Sequence, residues 1–591
     1  MPFTDSRRLT GPNVYFDSTA AVLEALAVEI SPAQLSAWRE QVEAMTAQLQ
    51  WPVPEFHLRV HAKGATLAFT APLDQLYCAT EINEWAWSSA CATVEAYAPG
   101  TPWLGDSAYA FRFFQHMAQA EAEPQLCKLI AEAEHLGWQV LLDEDVFSIG
   151  FGKQARCWPR NALPNSAVLF EAAPRPLPVA LVTGSNGKTT SVRLLAAMAR
   201  SAGFASGHNC TDGLFFNGEL LEADDYSGPA GARATLRHAG VQAAILETAR
   251  GGLLRRGLAT RHADVALVTN ISEDHFGEYG VFTLDDLAVV KLTVSKGIKP
   301  EGHMVLNAAD RMLVKHGSVL AQKTDWFALD WNNAFMQMQL SGGSAVCGFD
   351  QGRLCLYADG MVHDLGSVDN MPIAFKGIAQ YNMENIAGAA LSAYRLGFGL
   401  EAIQATLQNF GRRHIDNPGR LQNWQFGDVQ VFMDYAHNPE GMHGFLRIAD
   451  AMRGSGRLAV LLGQAGNREN DDIVKLAESV AHYRPDKVVL KDMQGYERGR
   501  QPGEVPALLE SALLQNGVAG EAVEIELNEI QAVRKILGWA TPGDILALPV
   551  HGLAEREAVQ ALLEAMREEQ WRAGKPLPAE LAEAKTTDSG A

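Results

Sequence analysis

The chain has 591 residues, of which 47% are hydrophobic and 20% are charged, and its formal net charge is −20. This composition is typical of a folded protein, and at about 150 residues per domain the length predicts three or four domains. A charge this negative repels a phosphate backbone, which argues against nucleic-acid binding as the main function.

The chain carries no pattern of a targeted or membrane-bound protein. Residues 1–11 lack the apolar segment of a signal peptide, and no apolar run approaches the ~20 residues that span a bilayer. The seven cysteines are scattered without a CxxC pair, which predicts reduced thiols rather than a disulfide framework or a zinc site. We therefore expect a cytoplasmic protein without a membrane partner.

The first 165 residues mix helical and strand-like patterns, which predicts an N-terminal α+β domain. Helices are predicted at Ala20–Ile30, Ala33–Leu49 and Cys127–Leu136, and a strand is predicted at Phe56–Ala62. Prolines are frequent between Trp158 and Pro178, so this segment is the best candidate for a linker.

From Val179 onward, short apolar strands alternate with helices, and a second series of the same kind begins near Val429. This alternation is typical of α/β units in which helices cover both faces of a mostly parallel sheet. The predicted strands are Val179–Val182, Ala243–Leu246, Val265–Thr269, Val429–Met433, Leu458–Leu462, Lys487–Leu490 and Ile545–Leu548. The predicted fold class is therefore α/β, with two α/β units after the N-terminal domain.

The strongest motif is a glycine-containing loop between the first of these strands and a predicted helix at Ser191–Ser201. Glycines let backbone N–H groups turn toward a phosphate, and the helix N-terminus adds the positive end of its dipole. The spacing departs from GxxxxGK[ST], because Val182 stands at the first glycine position, and a glycine turn beside a surface lysine is the alternative interpretation. We expect nucleotide to contact Gly184, Ser185, Asn186, Gly187, Lys188, Thr189 and Thr190.

Within this loop, two side chains have predicted chemical roles. Lys188 would reach the β- and γ-phosphates, and the Thr189 hydroxyl would ligate Mg²⁺.

Two later strands end in polar residues, at the edge where an open α/β sheet binds its ligands. Glu247 follows one strand, and a run from Asn270 to His275 follows another. Mg²⁺ prefers oxygen ligands, so a histidine would better suit a second metal site or Mn²⁺. A surface acid and a loop histidine are the alternatives, but the neighbouring phosphate loop favours metal binding. Lys291 lies in an apolar helical stretch, where a lysine ordinarily points to solvent.

These motifs, together with later ones, resemble the Mur ligase superfamily in kind and order. The later motifs are Gly377-x-x-x-Tyr381-Asn382-x-x-Asn385, Gly419-Arg420 and Asp434-Tyr435-Ala436-His437-Asn438-Pro439. The resemblance implies a Mur-type central P-loop ATPase domain and a C-terminal Rossmann-like α/β domain. The expected domains are then residues 1–165, 166–415 and 416–575, followed by a flexible tail at 576–591.

Further stretches are similar to the cyanophycin synthetase family, namely Arg8–Asn13, Leu142–Lys153, Leu246–Arg255 and Arg498–Glu504. Members of that family carry an ATP-grasp domain between the N-terminal domain and the Mur-like module, whereas this chain has only a short linker there. In that family the ATP-grasp domain adds aspartate to the backbone, and the Mur-like module adds arginine, or sometimes lysine, to the aspartate side chain. The resemblance implies that only the second activity is present here.

The resemblance also implies cofactors and residue roles. It implies ATP and Mg²⁺, with the metal held by Thr189, Glu247 and His275. The implied catalytic residues are Lys188, Glu247, His275 and Lys291, and Lys291 stands where many Mur ligases have a carbamylated lysine. The other residues implied to contact nucleotide are Asn382, Asn385, Arg420 and Asp434. A helix cap remains the alternative for Asn385, and a surface cation remains the alternative for Arg420.

The function expected from this resemblance is an ADP-forming ligase that joins an amino-acid amine to a carboxylate through an acyl phosphate. An aspartyl side chain is one candidate carboxylate, the substrates would be small amino acids or peptides, and a homo-oligomer is left open. One alternative is a non-catalytic nucleotide-binding scaffold or partner subunit of a cyanophycin-type system, which the presence of Lys188, Glu247 and His275 disfavours. The other is a kinase or transporter ATPase, which the motif at 434–439 disfavours.

Overall fold

The computed structural model describes residues 2–26, 30–92, 107–165, 173–273 and 276–579. The chain divides into two compact units. The first comprises Met1–Ser367 and Glu384–Leu407, and the second comprises Val368–Met383 and Gln408–Ala591.

The N-terminal part of the first unit is an antiparallel sheet covered by helices, followed by a small second sheet. Its elements are β1 (Phe3–Leu9), β2 (Ala20–Leu26), α1 (Pro32–Gln48), β3 (Phe56–His61), β4 (Gly64–Thr70), α2 (Leu76–Ala92), α3 (Ser107–Glu121), α4 (Pro124–His135), β5 (Val140–Leu142), β6 (Val146–Ile149) and β7 (Arg156–Pro159). The strands are ordered β1-β2-β4-β3 in one sheet and β5-β6-β7 in the other. Trp38 and Trp87 fill the core between the larger sheet and its helices. The predicted α+β character is therefore confirmed.

The helix predicted at Ala20–Ile30 is wrong, because Ala20–Leu26 forms β2. This strand pairs with β1 on one side and with β4 on the other, and all of its residues except Leu26 are buried. A short apolar run looks the same in a buried strand and in a buried helix, so periodicity alone does not separate them. Residues 27–29 lie outside the described residues. The other predicted elements of this part are confirmed as α1, β3 and α4.

The segment predicted as a linker begins within a sheet. Strand β7 pairs with β6, and the ring of Trp158 lies 6.0 Å from that of Phe147. Residues 166–172 lie outside the described residues. The domain boundaries proposed from the sequence stay predictions.

The rest of the first unit is a large sheet with helices on its faces. Its elements are β8 (Val179–Thr183), α5 (Lys188–Ser201), β9 (Ser206–Cys210), β10 (Gly213–Phe216), β11 (Glu219–Glu222), α6 (Pro229–Arg237), β12 (Ala243–Glu247), α7 (Arg250–Arg255), β13 (Ala263–Val268), α8 (Leu284–Leu292), β14 (Ile298–Asn307), α9 (Arg311–Gly317), β15 (Lys323–Asp330), α10 (Ala334–Ser341), β16 (Val346–Asp350), β17 (Arg353–Ala358), β18 (Met361–Ser367), α11 (Gln380–Arg395) and α12 (Leu400–Asn409). Helices α11 and α12 each contain a boundary between the two units.

In the described part of the chain this sheet has 11 strands in the order β11-β10-β9-β12-β8-β13-β14-β15-β16-β17-β18. Seven neighbouring strands in the middle of this order are parallel, namely β9, β12, β8, β13, β14, β15 and β16. Antiparallel strands flank them on both sides. Val182 of β8 lies opposite Glu247 of β12, and Thr183 lies opposite Val268 of β13. Because the three strands run in the same direction, the loops that follow them meet at one edge of the sheet.

The second unit contains a smaller α/β sheet. Its elements are β19 (Gln422–Phe426), β20 (Val429–Asp434), α13 (Pro439–Arg453), β21 (Leu458–Leu462), α14 (Asn470–Ala481), β22 (Lys487–Leu490), α15 (Glu504–Gln515), β23 (Val523–Ile525), α16 (Glu529–Trp539), β24 (Ile545–Pro549) and α17 (Leu553–Glu568). The order is β19-β20-β24-β21-β22-β23, parallel except for the pair β19 and β20. Apolar clusters cover both faces, which confirms the predicted α/β unit.

The start of the predicted flexible tail is attached to this unit. Leu577 packs against one of the two apolar clusters, and the carbonyl of Pro578 accepts a hydrogen bond of 2.8 Å from Arg534. Residues 580–591 lie outside the described residues. Among the described helices, none combines the length and the apolar character that crossing a membrane requires.

Candidate nucleotide and metal site

The loop between β8 and α5 has a backbone that depends on two glycines. Gly184 has φ 148° and Gly187 has φ 83°, in the region that side chains disfavour. A Cβ on Gly184 would lie 1.8 Å from Thr269 Oγ1, and one on Gly187 would lie 2.1 Å from Asn385 Oδ1. Both positions therefore combine a glycine conformation with a close approach to a neighbouring side chain.

The segment after β13 supports this loop through hydrogen bonds. The N–H groups of Ser185 and Asn186 donate to the carbonyl and side-chain oxygens of Asn270, at 3.0 Å and 2.8 Å. The Thr269 hydroxyl donates to the Asn186 carbonyl at 2.6 Å, and the Ser272 N–H donates to Ser185 Oγ at 3.0 Å. The sequence predicted that Asn270 and its neighbours lie at this edge, but not that they hold the phosphate loop in shape.

Two lysines converge on the same loop. Lys188 Nζ donates to the carbonyls of Gly184 and Ser185, both at 3.0 Å, and Lys291 Nζ donates to the Gly184 carbonyl at 2.8 Å. Lys291 is only 2% exposed, although the helical pattern alone favoured a solvent-facing side chain. Two lysine amino groups thus lie at the loop where a polyphosphate would bring negative charge.

The carboxylate of Glu247, at the end of β12, faces the first turn of α5 and is 1% exposed. Its Oε2 accepts a hydrogen bond of 2.9 Å from the Thr189 hydroxyl, and its Oε1 accepts one of 3.0 Å from Thr211. Sequence analysis missed Thr211. It follows β9, which is parallel and adjacent to β12, so its place after a strand was the signal that could have identified it.

Carboxylate and hydroxyl oxygens are ligands that suit Mg²⁺, so Thr189 and Glu247 fit the metal that the sequence implied. His275, the third predicted ligand, lies outside the described residues together with Asp274. Within the described ranges, no group of three or more His, Cys, Asp or Glu side chains is arranged to hold a metal ion.

Of the two predicted asparagines on α11, one lies at the phosphate loop. The buried side chain of Asn385 lies against Gly187, and its Oδ1 accepts a long hydrogen bond of 3.5 Å from the Ser191 hydroxyl. Asn382 belongs to the second unit, where its Nδ2 donates to the Ile373 carbonyl at 2.9 Å. A nucleotide contact by Asn382 stays a prediction.

Arg420 and Asp434 lie close together in the second unit. The Arg420 guanidinium lies 4.3 Å from the centre of the Tyr435 ring, and the Leu421 N–H donates to Asp434 Oδ2 at 2.7 Å. Burial raises the pKa of the Asp434 carboxyl, while the Arg420 charge and the Leu421 N–H oppose the rise. The structure therefore joins these two predicted residues in one cluster, and their contacts with phosphate or ribose stay predictions.

The chain matches two protein-family models. Residues 182–393 match the Mur ligase middle domain, and residues 419–548 match the Mur ligase glutamate ligase domain, so the two matches together cover more than half of the chain. The chain belongs to the Mur ligase family. The Mur-type central and C-terminal domains expected from the motifs are thereby confirmed.

Individual relatives include two cyanophycin synthetases. The one from Synechocystis sp. is 31% identical over 382 residues, which is 64% of this chain and 43% of that protein. The one from Geminocystis herdmanii is 30% identical over 392 residues, or 66% of this chain and 44% of that protein. The match thus spans less than half the length of either one. A UDP-N-acetylmuramyl-tripeptide synthetase from Leifsonia xyli is 27% identical over 414 residues, covering 66% of this chain and 71% of that protein.

Proposed function

We propose that this chain is an ATP-dependent, ADP-forming ligase that joins an amino-acid amine to a carboxylate through an acyl phosphate. The observation that carries the proposal is the convergence of Lys188, Lys291, Thr189 and Glu247 on one glycine loop at the carboxyl edge of a parallel sheet. Membership of the Mur ligase family and the likeness to cyanophycin synthetases support it.

In this proposal the N–H groups at the start of α5 and Lys188 bind the β- and γ-phosphates, and Lys188 exchanges the Gly184 and Ser185 carbonyls for phosphate oxygens. Thr189, Glu247 and His275 hold Mg²⁺, which when bound neutralises charge on the transferring phosphoryl group. Lys291 acts beside Gly184, and Asn385 borders the loop at Gly187. For Asn382, Arg420 and Asp434 the proposal keeps the nucleotide contacts that the family resemblance implies.

The chemistry proceeds in two steps. A carboxylate oxygen attacks the γ-phosphorus and the bond to ADP breaks, which leaves an acyl phosphate. The unprotonated amine nitrogen then attacks the acyl carbon and loses a proton to phosphate or solvent, and inorganic phosphate leaves with its electron pair. Exclusion of water protects the acyl phosphate from hydrolysis, so both steps belong in a closed site.

For the substrates we propose small amino acids or peptides, with an aspartyl side chain as the carboxylate and a basic amino acid as the amine. The test is ADP release by the purified chain with ATP, Mg²⁺ and a panel of amino acids and β-aspartyl peptides. We expect release only when a carboxylate and an amine substrate are both present. Release that needs neither substrate would contradict the proposal in favour of an ATPase. Tight ADP binding without release under any combination would favour a nucleotide-binding scaffold.

A further inference from the structure

The segment that follows β1 forms backbone hydrogen bonds with the chain that follows Glu247. The Thr10 N–H donates to the Arg256 carbonyl at 2.9 Å, and the Leu258 N–H donates to the Pro12 carbonyl at 2.7 Å. A Cβ on Gly11 would lie 2.2 Å from the Leu258 carbonyl oxygen, so the two segments are in direct backbone contact. The segment Arg8–Asn13, which stood out in the sequence, therefore lies beside residues 256–258, directly after the second such stretch, Leu246–Arg255.

The N-terminal sheet also forms hydrogen bonds with the loop that leads into α8 and with α8 itself. Arg59 of β3 donates to the Gly280 carbonyl and to the carboxylate of Asp286, which lies in the first turn of α8. Gly280 has φ 70°, and a Cβ there would lie 2.6 Å from Thr66 Oγ1 and 3.4 Å from Glu24 Oε2. There is therefore no room for a side chain at position 280.

One buried arginine contacts both the chain after Glu247 and the loop that leads into α8. Arg7 Nε donates to the Leu254 carbonyl at 2.8 Å, and its guanidinium lies 4.8 Å from the centre of the Tyr279 ring. The two segments are also tied to each other, because Arg250 donates to the Glu278 carboxylate at 2.8 Å. The N-terminal sheet and the two segments are thus connected by hydrogen bonds, ion pairs and one cation–π contact.

Helix α8 connects these contacts to the phosphate loop. Asp286 is in its first turn, where it completes a capping box with Thr283, and Lys291 lies in its last turn with Nζ on the Gly184 carbonyl. A helix of nine residues is short and stiff, so the position of Asp286 sets the position of Lys291.

We propose that the N-terminal sheet is a brace for the nucleotide–metal site, and that Arg59 is a positioning residue that holds α8 so that Lys291 meets the phosphate loop. The inference rests on the proposed function only in assigning this loop to a nucleotide and Mg²⁺. It gives the N-terminal domain a part in the site without a chemical step of its own.

The test measures binding of Mn²⁺ and ADP, which requires no ligation. Mn²⁺ affinity of the ADP-bound protein is read by electron paramagnetic resonance, and metal-free ADP affinity by calorimetry. We expect Arg59→Gln and Asp286→Asn each to weaken Mn²⁺ binding to the ADP-bound protein at least fivefold, and metal-free ADP affinity to fall as well, because Lys291 no longer meets the phosphate loop. Arg39→Gln is the control, because Arg39 is an exposed residue of the same domain that pairs with Glu43 across one turn of α1 and lies over the Phe56 ring.

Arg59→Lys keeps the charge but not the two-pronged geometry, so an intermediate loss of Mn²⁺ affinity is expected. Arg59→Lys also tests the proposal if Arg59→Gln does not fold. Unchanged Mn²⁺ affinity in the folded variants at positions 59 and 286 would overturn the brace. Reduced Mn²⁺ affinity in a protein that ligates no substrate pair would uphold the brace and reject the proposed function, so the two failures are distinguishable.

Discussion

The hydroxyl of Thr189 and the carboxylate of Glu247 are joined by a hydrogen bond of 2.9 Å, although 58 positions separate them in the chain. Parallel pairing of β8 with β12 brings the end of one strand beside the end of the other, and α5 begins at that point. A carboxylate next to a helix N-terminus and two lysines is an environment suited to a metal–phosphate complex. The predictions on catalysis all depend on this arrangement.

Replacing Lys188 with alanine is expected to reduce substrate-dependent ADP release by about 10²–10³, because one cation that stabilises the transferring phosphoryl group is lost. The measurement is the steady-state rate of ADP formation with both substrates present. Lys128→Ala, on an exposed position of α4, is the control and should behave like the parent. Near-parent turnover by a folded Lys188→Ala protein would refute the role of this loop.

Gly187→Ala is expected to lower ADP affinity at least tenfold, because its Cβ would meet Asn385 Oδ1 at 2.1 Å and because φ is 83°. Gly203→Ala is a matched control at the other end of α5, where φ is 88° and no atom lies within 4 Å of the added Cβ. The control carries the left-handed strain of about 1–2 kcal/mol without the clash. Calorimetric ADP binding should separate the two variants, and equal affinities would refute the steric argument.

The nucleotide product is expected to be ADP, accompanied by inorganic phosphate. The loop and the N-terminus of α5 are suited to holding the β- and γ-phosphates, so attack is directed at the γ-phosphorus. Phosphorus NMR of a complete reaction distinguishes these products from AMP and pyrophosphate. Formation of AMP would mean an acyl-adenylate route.

The purified chain is expected to form one kind of amide bond per acceptor carboxylate and not to build a two-residue repeating polymer. A polymer with distinct backbone and side-chain bonds needs two activating sites, and the sequence contains one phosphate loop with its metal ligands. Polymerisation of preformed dipeptides needs only one bond type and is the rival outcome. Intact-mass analysis with aspartate, arginine, β-aspartyl-arginine and longer primers decides, and a ladder of alternating aspartate and arginine would contradict the prediction.

The stability of the folded chain is expected to fall as pH decreases below 6.5, in part because of His208. Burial, with the charges of Arg193 and Arg200, lowers the pKa of this imidazole from 6.5 to about 3. The unfolded chain therefore binds a proton between these pH values that the folded chain does not, so the stabilisation present above pH 6.5 is lost toward pH 3. Each pKa unit corresponds to about 1.4 kcal/mol.

His208→Phe tests this expectation, because the imidazole stacks on Phe215 at 4.6 Å and neither ring nitrogen has a hydrogen-bond partner among the described residues. The free energy of unfolding, measured in urea between pH 7 and about pH 4, should decline less steeply in the variant than in the parent. Parallel pH profiles would show that His208 does not contribute.

The sequence by itself was enough to predict the glycine loop between β8 and α5 and the α/β strands, because these depend on neighbours in the chain. A buried parallel strand is a continuous apolar run, and Leu458–Leu462 and Lys487–Leu490 have the predicted ends. The same rule misled at Ala20–Leu26, where only pairing with strands on both sides shows that the apolar run is extended.

The tertiary structure decided how the site is assembled. Burial of Lys291 against Gly184, the contact of Thr211 with Glu247 and the position of Asn385 beside Gly187 each join residues that are distant in sequence. The brace of Arg59 on Asp286 joins two parts of the chain that are 227 positions apart. The local sequence pattern does not determine which strands become neighbours or which helix packs over which loop. Those choices come from burying all apolar faces together, and that is a property of the whole chain.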